Sequence, residues 1–376
     1  MSLSNDRVLP IHLVVEALEK NIIELPLGQP EFADKRYRSI PLDPDFFTRI
    51  PVTGDERLIA FVDGGNMEIA SAPNFAVALT RLYFSLFKGD KRIESRILPQ
   101  RIDFYTVCFA TLKNGQIVYK TEFIPLKEEW RKYLPKVQDL ELDSFDRTIM
   151  LGLQRASINR VLDVARVFAE WRFSSFIIKE ELQKGDILVR DGTLQTAVTN
   201  ESKYSNEAYS FALEKGVYFT GISKTSTLFT DTGQPLFSAI HELSEVSQLK
   251  DDAWYYHPIA EINHPDHRAE MFAVKLNKQS EYVFRFEILR DQVTKQTFKE
   301  VESVISALAE NSIDIGFPGY PYGLIDADRL GRVSMNEKTA HAFQFKAAAS
   351  RAGVWEKISK FIKSSDAHEI LNKLIG

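Results

Sequence analysis

The chain has 376 residues, of which 44% are hydrophobic and 26% are charged, so we expect a soluble globular protein with a large apolar core. Its single cysteine, Cys108, excludes a disulfide framework or a cysteine-built metal site and suits a reducing cytoplasm, and no apolar run approaches a membrane span. The net charge of −5 excludes a uniformly basic surface, although a local basic groove could still bind nucleic acid.

The N-terminal segment, residues 1–56, is predicted to hold one helix and an extended connection. Residues 1–10 are mostly polar, and charged residues interrupt the apolar ones that follow, so no signal peptide is expected. Apolar side chains recur at helical spacing over residues 11–24 and predict an amphipathic helix. We expect this helix to dock onto the core; the alternative is a helix that binds a partner. Residues 28–56 are rich in proline and charge and predict the extended connection.

A buried strand is predicted over residues 57–63, followed by Gly-Gly, and it ends at Asp63. A carboxylate at the end of a strand can point into an active site while the sheet fixes its backbone. Alone, the same pattern is typical of an ordinary Asp-Gly turn. The functional interpretation therefore depends on whether a second strand ends in the same way.

Three elements separate Asp63 from the next acidic strand. Pro73 before an apolar stretch predicts a helix over residues 74–86, which we interpret as an insertion. A Lys-Asn-Gly turn predicts a hairpin of strands over residues 102–112 and 117–123. Residues 143–184 contain no proline and many helix formers, which predicts one long helix or two in tandem.

The arrangement around Asp63 then recurs, because a short apolar strand ends at Asp191 and glycine follows it. A helix over residues 206–215 and a strand over residues 217–223 come next. The order strand, hairpin, helix, strand, helix, strand predicts an α/β protein. We expect a ribonuclease H-like mixed five-stranded sheet flanked by helices, with N-terminal, middle and C-terminal elaborations.

Two acids at the ends of adjacent strands suit two-metal hydrolysis of phosphodiesters. In that chemistry, metals about 4 Å apart stabilise the attacking and leaving oxygens. Mg²⁺ and Mn²⁺ prefer carboxylates and water as ligands. Carboxylates this close repel each other unless a cation is bound, so Asp63, Asp191 and a glutamate of the long helix predict a metal site.

Five short blocks of this sequence occur in the same order in the NurA nucleases, which the chain resembles. They span residues 57–335, which we predict to be the nuclease domain; a helical segment over residues 336–376 follows it. The blocks are Val-Asp63-Gly-Gly, a glutamate in a long helix, Leu-Val-Arg-Asp191-Gly-Thr-Leu, Gly-Ile-Ser-Lys224-Thr and Gly-Tyr320-Pro-Tyr-Gly-Leu-Ile-Asp-Ala-Asp328.

The resemblance implies a metal-dependent DNA nuclease with 5′-to-3′ exonuclease and single-strand endonuclease activity, and with Mn²⁺ (or Mg²⁺) as its cofactor. It further implies a homodimer that acts on single-stranded DNA and duplex ends in DNA end resection and repair. The implied partner is a HerA-like hexameric ATPase translocase. No GxxxxGK[ST] motif occurs, so the chain is not a P-loop ATPase, which agrees with a separate motor.

Carried over by position, the resemblance implies metal-binding roles for Asp63 and Asp191. Glu170 matches the helix glutamate by its distance from the second strand. Tyr320 matches the tyrosine of the last block, and Lys224 matches a lysine that could contact a phosphate or balance the carboxylates. The alternatives for the helix glutamate, nearer the helix end, are Glu180 and Glu181.

Two positions depart from the family pattern. Asp328 stands where the family usually has histidine, and Gly323 replaces a proline. Aspartate can also ligate a metal, so Asp328 is a candidate fourth ligand, but it cannot act as a neutral imidazole donor at pH 7. The alternative function is therefore a non-catalytic ribonuclease H-like adaptor that regulates a DNA translocase. A related enzyme that cleaves RNA or a hybrid duplex is a further alternative.

Three other features receive structural interpretations first. The histidine-rich segment holding His257, His264 and His267 lacks an HExxH motif and is predicted to be a surface or structural loop. Cys108 lies within a predicted strand and is expected in the core. Two basic sets are predicted to be solvated helix faces, with a DNA channel as the alternative. They are Arg155, Arg160, Arg166 and Arg172 on the long helix and Lys346, Arg351, Lys357, Lys360 and Lys363 near the C-terminus.

Overall fold

The computed structural model describes residues 10–23, 25–54, 57–294 and 297–365. Its N-terminal part holds one helix and three short strands, each of which pairs with a strand from the middle of the chain. The extended connection predicted before the first acidic strand is thus part of the folded body. These elements are α1 (Pro10–Leu18), β1 (Pro30–Glu31), β2 (Tyr37–Ser39) and β3 (Phe47–Arg49).

Six strands follow and form the antiparallel half of the main sheet. They are β4 (Leu58–Ala72), β5 (Phe75–Lys88), β6 (Lys91–Ile93), β7 (Arg101–Lys113), β8 (Gln116–Pro125) and β9 (Leu142–Asp143). The predicted hairpin is confirmed as β7 and β8, whose connecting residues Asn114 and Gly115 have positive φ angles of 52° and 79°. That conformation is the one an Asn-Gly hairpin turn requires.

The predicted helix over residues 74–86 is wrong, because this segment is the strand β5. Pro73 and Asn74 form the tight turn between β4 and β5 rather than the first turn of a helix. Both faces of β5 are buried, so its sequence is almost continuously apolar and lacks a two-residue period. Such a run does not distinguish a buried strand from a buried helix.

The short parallel part of the sheet contains the second acidic strand. Its elements are α2 (Ile158–Glu180), β10 (Ile187–Asp191), α3 (Glu201–Lys215) and β11 (Tyr218–Ser223). The helix predicted over residues 143–184 begins only at residue 158, where Ser157 caps it by accepting a hydrogen bond from the backbone N–H of Asn159. Residues 144–157 are mostly turns and irregular chain.

Neighbouring strands of the central sheet follow the order β7, β5, β4, β10, β11. With β4, β5 and β7 taken as the first three strands, this order is 3-2-1-4-5, and β10 runs parallel to both β4 and β11. It is the ribonuclease H-like arrangement, and the predicted fold class is confirmed. The second strand of the core is β5, whereas β8 lies outside it.

The sheet has twelve strands rather than five, because β6, β8 and β9 extend it on one side and four more strands extend it beyond β11. There β16, β15, β13 and β3 are added in turn, and two helices accompany them. The elements of this region are β12 (Phe229–Thr230), α4 (Leu236–Val246), β13 (Trp254–Tyr256), β14 (Ala260–Ile262), β15 (Ala269–Lys275), β16 (Phe284–Leu289) and α5 (Phe298–Glu310).

Three helices end the described chain: α6 (Tyr322–Gly331), α7 (Met335–Arg351) and α8 (Trp355–Ser365). A capping box starts α7, since Ser334 and Glu337 exchange side-chain and backbone hydrogen bonds. Glu337 also accepts a hydrogen bond from Arg81 of β5 at 2.6 Å, which ties α7 to the sheet.

Alternating residues of β4 and β10 enter two separate cores. Ala60 and Val62 pack on the face covered by α2 and α3, whereas Ile59 and Phe61 pack on the face covered by α5 and α6. Because the side-chain period of a strand is two, Asp63 belongs to the same face as Phe61. This face assignment determines which helix can approach the acidic residues.

The N-terminal helix does not dock onto the core as expected. None of the described residues of α1 is buried, and its apolar side chains are about half exposed, as Leu13 is at 57% and Val15 at 56%. The prediction of an amphipathic helix is confirmed, but its apolar face is open in this chain.

Candidate metal centre

Asp63 and Asp191 lie side by side because of the register between β4 and β10. Val62 is the partner of Arg190 across this parallel pair, so the next residue on each strand is an aspartate. The prediction that the first strand stops at Asp63 is wrong, since β4 continues through Gly64 and Gly65 to residue 72. What ends there is the pairing with β10, and this opens the edge on which both carboxylates lie.

Asp328 joins the two aspartates from the helix α6, which packs on the same face of the sheet. Two glycines allow the close approach of this helix. A Cβ atom at Gly65 would lie 2.6 Å from the carbonyl oxygen of Gly331, and one at Gly323 would lie 2.0 Å from the ring of Phe61. Neither distance is possible between real atoms, so any side chain would push α6 away from β4.

The three aspartates form a cluster that could hold a metal ion. One carboxylate oxygen from each of Asp63, Asp191 and Asp328 lies within 4.8 Å of the others, and all three residues are partly buried. Burial, with the charges of Glu170 and Asp191, raises the pKa of Asp63 to about 8. An all-oxygen donor set of this kind fits Mg²⁺ or Mn²⁺, and the repulsion that raises this pKa is what a divalent cation would relieve.

The raised pKa of Asp63 predicts a pH-dependent stability for the metal-free protein. The folded protein holds the Asp63 proton up to about pH 8, whereas the unfolded chain releases it near 3.8, so stability falls as pH rises between these values. We expect Asp63→Asn to raise the melting temperature in EDTA, by more at pH 9 than at pH 5. Thermal unfolding of the wild-type protein and the variant from pH 5 to pH 9 measures this difference in melting temperature. A difference that is equal at pH 5 and pH 9 would contradict the raised pKa of Asp63.

Tyr320 and Lys224 hold Asp191 from two sides. The buried hydroxyl of Tyr320 donates to Oδ1 of Asp191 at 3.4 Å, and Nζ of Lys224 lies 2.7 Å from Oδ2. Lys224 also lies 3.3 Å from Oδ1 of Asp328 and 5.5 Å from the centre of the Tyr320 ring. Although burial lowers the pKa of Lys224, Asp191 and Asp328 outweigh it and raise this pKa. Burial and the nearby carboxylates raise the pKa of Tyr320, so its hydroxyl keeps its proton.

Glu170 lies next to the cluster but is not one of its three members. It projects from α2 on the opposite face of the sheet, where a Cβ atom at Gly64 would lie 2.7 Å from its Oε1. The side chain is 5% exposed and forms ion pairs with Arg166 and, at 3.3 Å, with Arg190. Its charge still raises the pKa of Asp63 across the strand.

The alternative helix glutamates lie away from the three aspartates. Glu180 is exposed at the end of α2. Glu181 accepts a hydrogen bond from the backbone N–H of Leu98 at 2.7 Å, a contact that fixes the loop before β7. Glu170 is therefore the helix glutamate that comes near the cluster.

Three arginines lie near the centre; the sequence pointed to Arg166 only as part of a basic set, and to Arg332 and Arg190 not at all. Arg332, the residue immediately after α6, lies 2.6 Å from Oδ2 of Asp328. Arg166 precedes Glu170 by one turn, and Arg190 immediately precedes Asp191. The four-residue spacing of opposite charges on a helix is a recognisable signal for two of them. Arg190 could not be found this way, because only the sheet brings it to Glu170.

His267 of the histidine-rich segment and Cys108, which were alternative site candidates, have structural roles. His267 is fully buried and hydrogen bonds both Tyr37 and Glu287, at 2.9 Å and 3.0 Å. Cys108 is buried in β7, as predicted, and burial raises the pKa of its thiol to about 12.

Most of the named arginines and lysines in the two basic sets form ion pairs or are exposed to solvent. Arg160 and Arg172 of α2 form ion pairs with Asp163 and Glu207. The C-terminal cations Lys346, Arg351, Lys357 and Lys360 are exposed, as expected of a solvated face, and the side chain of Lys363 lies outside the described residues. Within the described ranges, no helix is both long and apolar enough to cross a membrane.

Comparison with known proteins identified one family and several solved structures. The family model described as the NurA domain matches residues 57–333, more than half of the chain. The crystal structure of the NurA nuclease from Sulfolobus solfataricus is 12% identical, covers 91% of this chain and 94% of that chain, and has a TM-score of 0.47. A structure of A. aeolicus Argonaute is 11% identical over 74% of this chain and 28% of that chain, with a TM-score of 0.30. No curated protein matches.

Proposed function

Since the chain belongs to the NurA family of nucleases, we propose that it is a metal-dependent DNA nuclease with Mn²⁺ (or Mg²⁺) as its cofactor. The proposed activities are 5′-to-3′ exonuclease and single-strand endonuclease cleavage, used in DNA end resection and repair in the cytoplasm. The observation that carries the proposal is the cluster of Asp63, Asp191 and Asp328, with oxygens within 4.8 Å of one another.

In this proposal Asp63, Asp191 and Asp328 hold the metal directly. When bound, Mn²⁺ or Mg²⁺ would supply Lewis-acid stabilisation of the charge that develops on the phosphate oxygens. Glu170 acts from the opposite face of the sheet, where its charge and its pairing with Arg190 set the electrostatic environment of Asp63. It is the fourth candidate ligand, and ligation would require it to exchange its arginine partners.

Tyr320 and Lys224 are proposed to orient the site and the substrate. The Tyr320 hydroxyl restrains Oδ1 of Asp191, which leaves the carboxylate in one orientation for the metal. Lys224 has a side chain that is 40% exposed, so its ammonium can donate to a phosphate oxygen while it remains beside Asp191. Charge-assisted hydrogen bonds of this kind position a phosphate and stabilise its negative charge.

Asp328 replaces the family histidine, and we expect the carboxylate to serve as a ligand in its place. Asp328→Ala should reduce cleavage by about 100-fold or more and raise the manganese concentration needed for half-maximal activity, because a ligand is lost. Asp328→His supplies another metal ligand and should retain far more activity than the alanine variant. Rates measured over a manganese titration test this.

The exposed side chain of Arg329, on the same helix, provides the matched control, and Arg329→Ala should leave the manganese requirement unchanged. An Asp328→Ala enzyme with an unaltered manganese requirement would remove Asp328 from the proposed ligand set.

The experiment that tests the function itself is a cleavage assay on end-labelled DNA. Single-stranded and duplex substrates, each labelled at the 5′ or the 3′ end, are incubated with Mn²⁺, with Mg²⁺ or with EDTA. We expect metal-dependent cleavage whose product ladder gives the polarity. Identical products in EDTA would refute the metal dependence, and intact DNA in every condition would refute the nuclease activity. RNA substrates in the same series test the alternative nucleic acid.

We further propose a homodimer and a HerA-like hexameric ATPase as partner. The half-exposed apolar side chains of α1, such as Leu13 and Val15, offer a contact surface for that partner. Co-purification of the translocase with full-length chain and with a chain lacking residues 1–27 tests this contact. Equal recovery by both would exclude it, and the mass of the free protein in solution tests the dimer.

A second candidate function is a non-catalytic adaptor that regulates a translocase. It is favoured by the two cations that already compensate the cluster, because Lys224 contacts Asp191 and Asp328 while Arg332 contacts Asp328. Calorimetric titration of the protein with Mn²⁺ separates the two candidates. A site that stays empty at millimolar manganese would favour the adaptor, whereas saturable binding lost in Asp191→Asn would favour the nuclease.

A further inference from the structure

A cavity of about 500 Å³ lies between residues 31–37 and the middle elaboration, a few residues along the chain from the proposed metal centre. Its wall includes aromatic rings from β2 and β12, the amide of Gln195, and the guanidinium of Arg285 on β16. The volume is that of a site for a small organic ligand. We propose that this cavity receives a nucleobase of the DNA strand bound at the metal centre. This inference rests on the proposed function.

Three chain segments connect the wall of the cavity to the elements of the centre. Gln195 follows Asp191 by four residues, and a chain of that length spans at most about 14 Å. Thr227, also on the wall, follows Lys224 by three residues. Arg285 is the direct cross-strand partner of Ser223, the residue before Lys224. Arg285 alternates along β16 with Phe284 and Phe286 of the core under α5 and α6, so its side chain lies on the opposite face of the sheet from the three aspartates. A strand held by its phosphate at the centre would therefore pass around the ends of β10 and β11 to bring a neighbouring base to the cavity.

The aromatic part of the wall suits stacking on a base. The rings of Phe32 and Tyr37 are 5.4 Å apart at an angle of 10°, so they form a stacked pair beside the cavity. Phe229 is 49% exposed and contributes a third ring. Base–aromatic stacking is a common mode of binding single-stranded nucleic acid and tolerates any sequence, because every base has a π-face.

The polar groups of the wall suit a base rather than a phosphate. The cations near the cavity are already compensated, since Arg285 lies 2.7 Å from Glu287 and Arg36 lies 3.0 Å from Asp34. The carboxylate of Asp34 itself lines the cavity and would repel a phosphate. It could accept a hydrogen bond from an exocyclic amine, and Gln195 offers both a donor and an acceptor to a base edge.

A buried network connects the wall of the cavity to the chain segment that follows Asp191. Glu287 is fully buried and accepts a hydrogen bond from the backbone N–H of Leu194 at 2.6 Å. Its other oxygen contacts Arg285 and His267, and His267 in turn contacts the hydroxyl of Tyr37. A wall held in place by such contacts loses little conformational entropy when it binds a base.

Abasic scanning of the DNA tests this inference. A set of single strands, each with one abasic site at a different distance from the cleavage position, is measured for binding in EDTA and for cleavage with Mn²⁺. We expect one position, or two adjacent positions, at which loss of the base weakens binding by about 5- to 100-fold, the range of a single stacked base. In the Phe229→Ala protein, an abasic site at that position should change the DNA affinity by no more than about twofold.

Phe343→Ala is the matched control, because Phe343 is an exposed phenylalanine of α7, and it should keep the full abasic effect. A flat abasic profile, or one that Phe229→Ala leaves unchanged, would overturn the inference. Cleavage of the unmodified strand reports separately on the proposed function. A flat profile with metal-dependent cleavage refutes only the cavity, and a Phe229-dependent profile without cleavage supports the cavity while refuting the nuclease.

Discussion

Asp191→Asn is expected to lower manganese-supported DNA cleavage by at least about 1,000-fold, because it removes a charge on which metal binding depends. Asp191 is the central member of the proposed site. Its carboxylate lies beside both Asp63 and Asp328, and each of its oxygens already has a restraining partner in Tyr320 or Lys224. Asparagine has nearly the same shape and can keep one of these hydrogen bonds, so the loss should appear in activity and not in folding.

The rate of cleavage of end-labelled single-stranded DNA measures this effect, and the melting temperature in EDTA shows that the variant folds. Asp63→Asn should reduce cleavage as strongly, because Asp63 is the equivalent residue of the neighbouring strand. The matched control is Asp163→Asn in α2, whose side chain is 48% exposed and outside the cluster. Full activity in Asp191→Asn would remove it from the site.

Gly323→Pro introduces the residue that the resemblance implied at this position, yet it should lower the free energy of unfolding by about 3 kcal/mol or more. A Cβ atom here would lie 2.0 Å from the ring of Phe61, which is fully buried and cannot move aside. Proline would also remove the hydrogen bond from the backbone N–H of Gly323 to Oδ1 of Asn311. Both effects act at the start of α6, the helix that carries Asp328.

Chemical denaturation of Gly323→Pro and of two further variants, Gly323→Ala and Gly331→Ala, measures the changes in the free energy of unfolding. Gly323→Ala isolates the steric effect and should cost about 1–3 kcal/mol. Gly331→Ala is the control on the same helix, since its Cβ would lie 3.5 Å from the nearest backbone atom and should be tolerated. A Gly323→Pro protein as stable as wild type would contradict the close packing of α6 on β4. If that packing positions Asp328, the proline variant should also lose cleavage.

Periodicity and turn chemistry predicted much of the fold from the sequence. The Asn-Gly hairpin, the strand that ends at Asp191 and the two elements after it were all identified from local signals, because each is bounded by glycine. Local signals do not identify the strand β5, because both of its faces are buried. A segment with no solvent-facing side chains has no alternation from which its geometry could be recognised.

The sequence by itself also determined the central acidic pair, because Asp63 and Asp191 each follow a short apolar run and precede glycine. Only the tertiary structure decided what completes that pair. Strand residues alternate between two faces, so Asp63 shares its face with α6 and Asp328, whereas Glu170 approaches from the other face and pairs with Arg190. No local pattern contains this information, because it depends on which helix covers which side of the sheet.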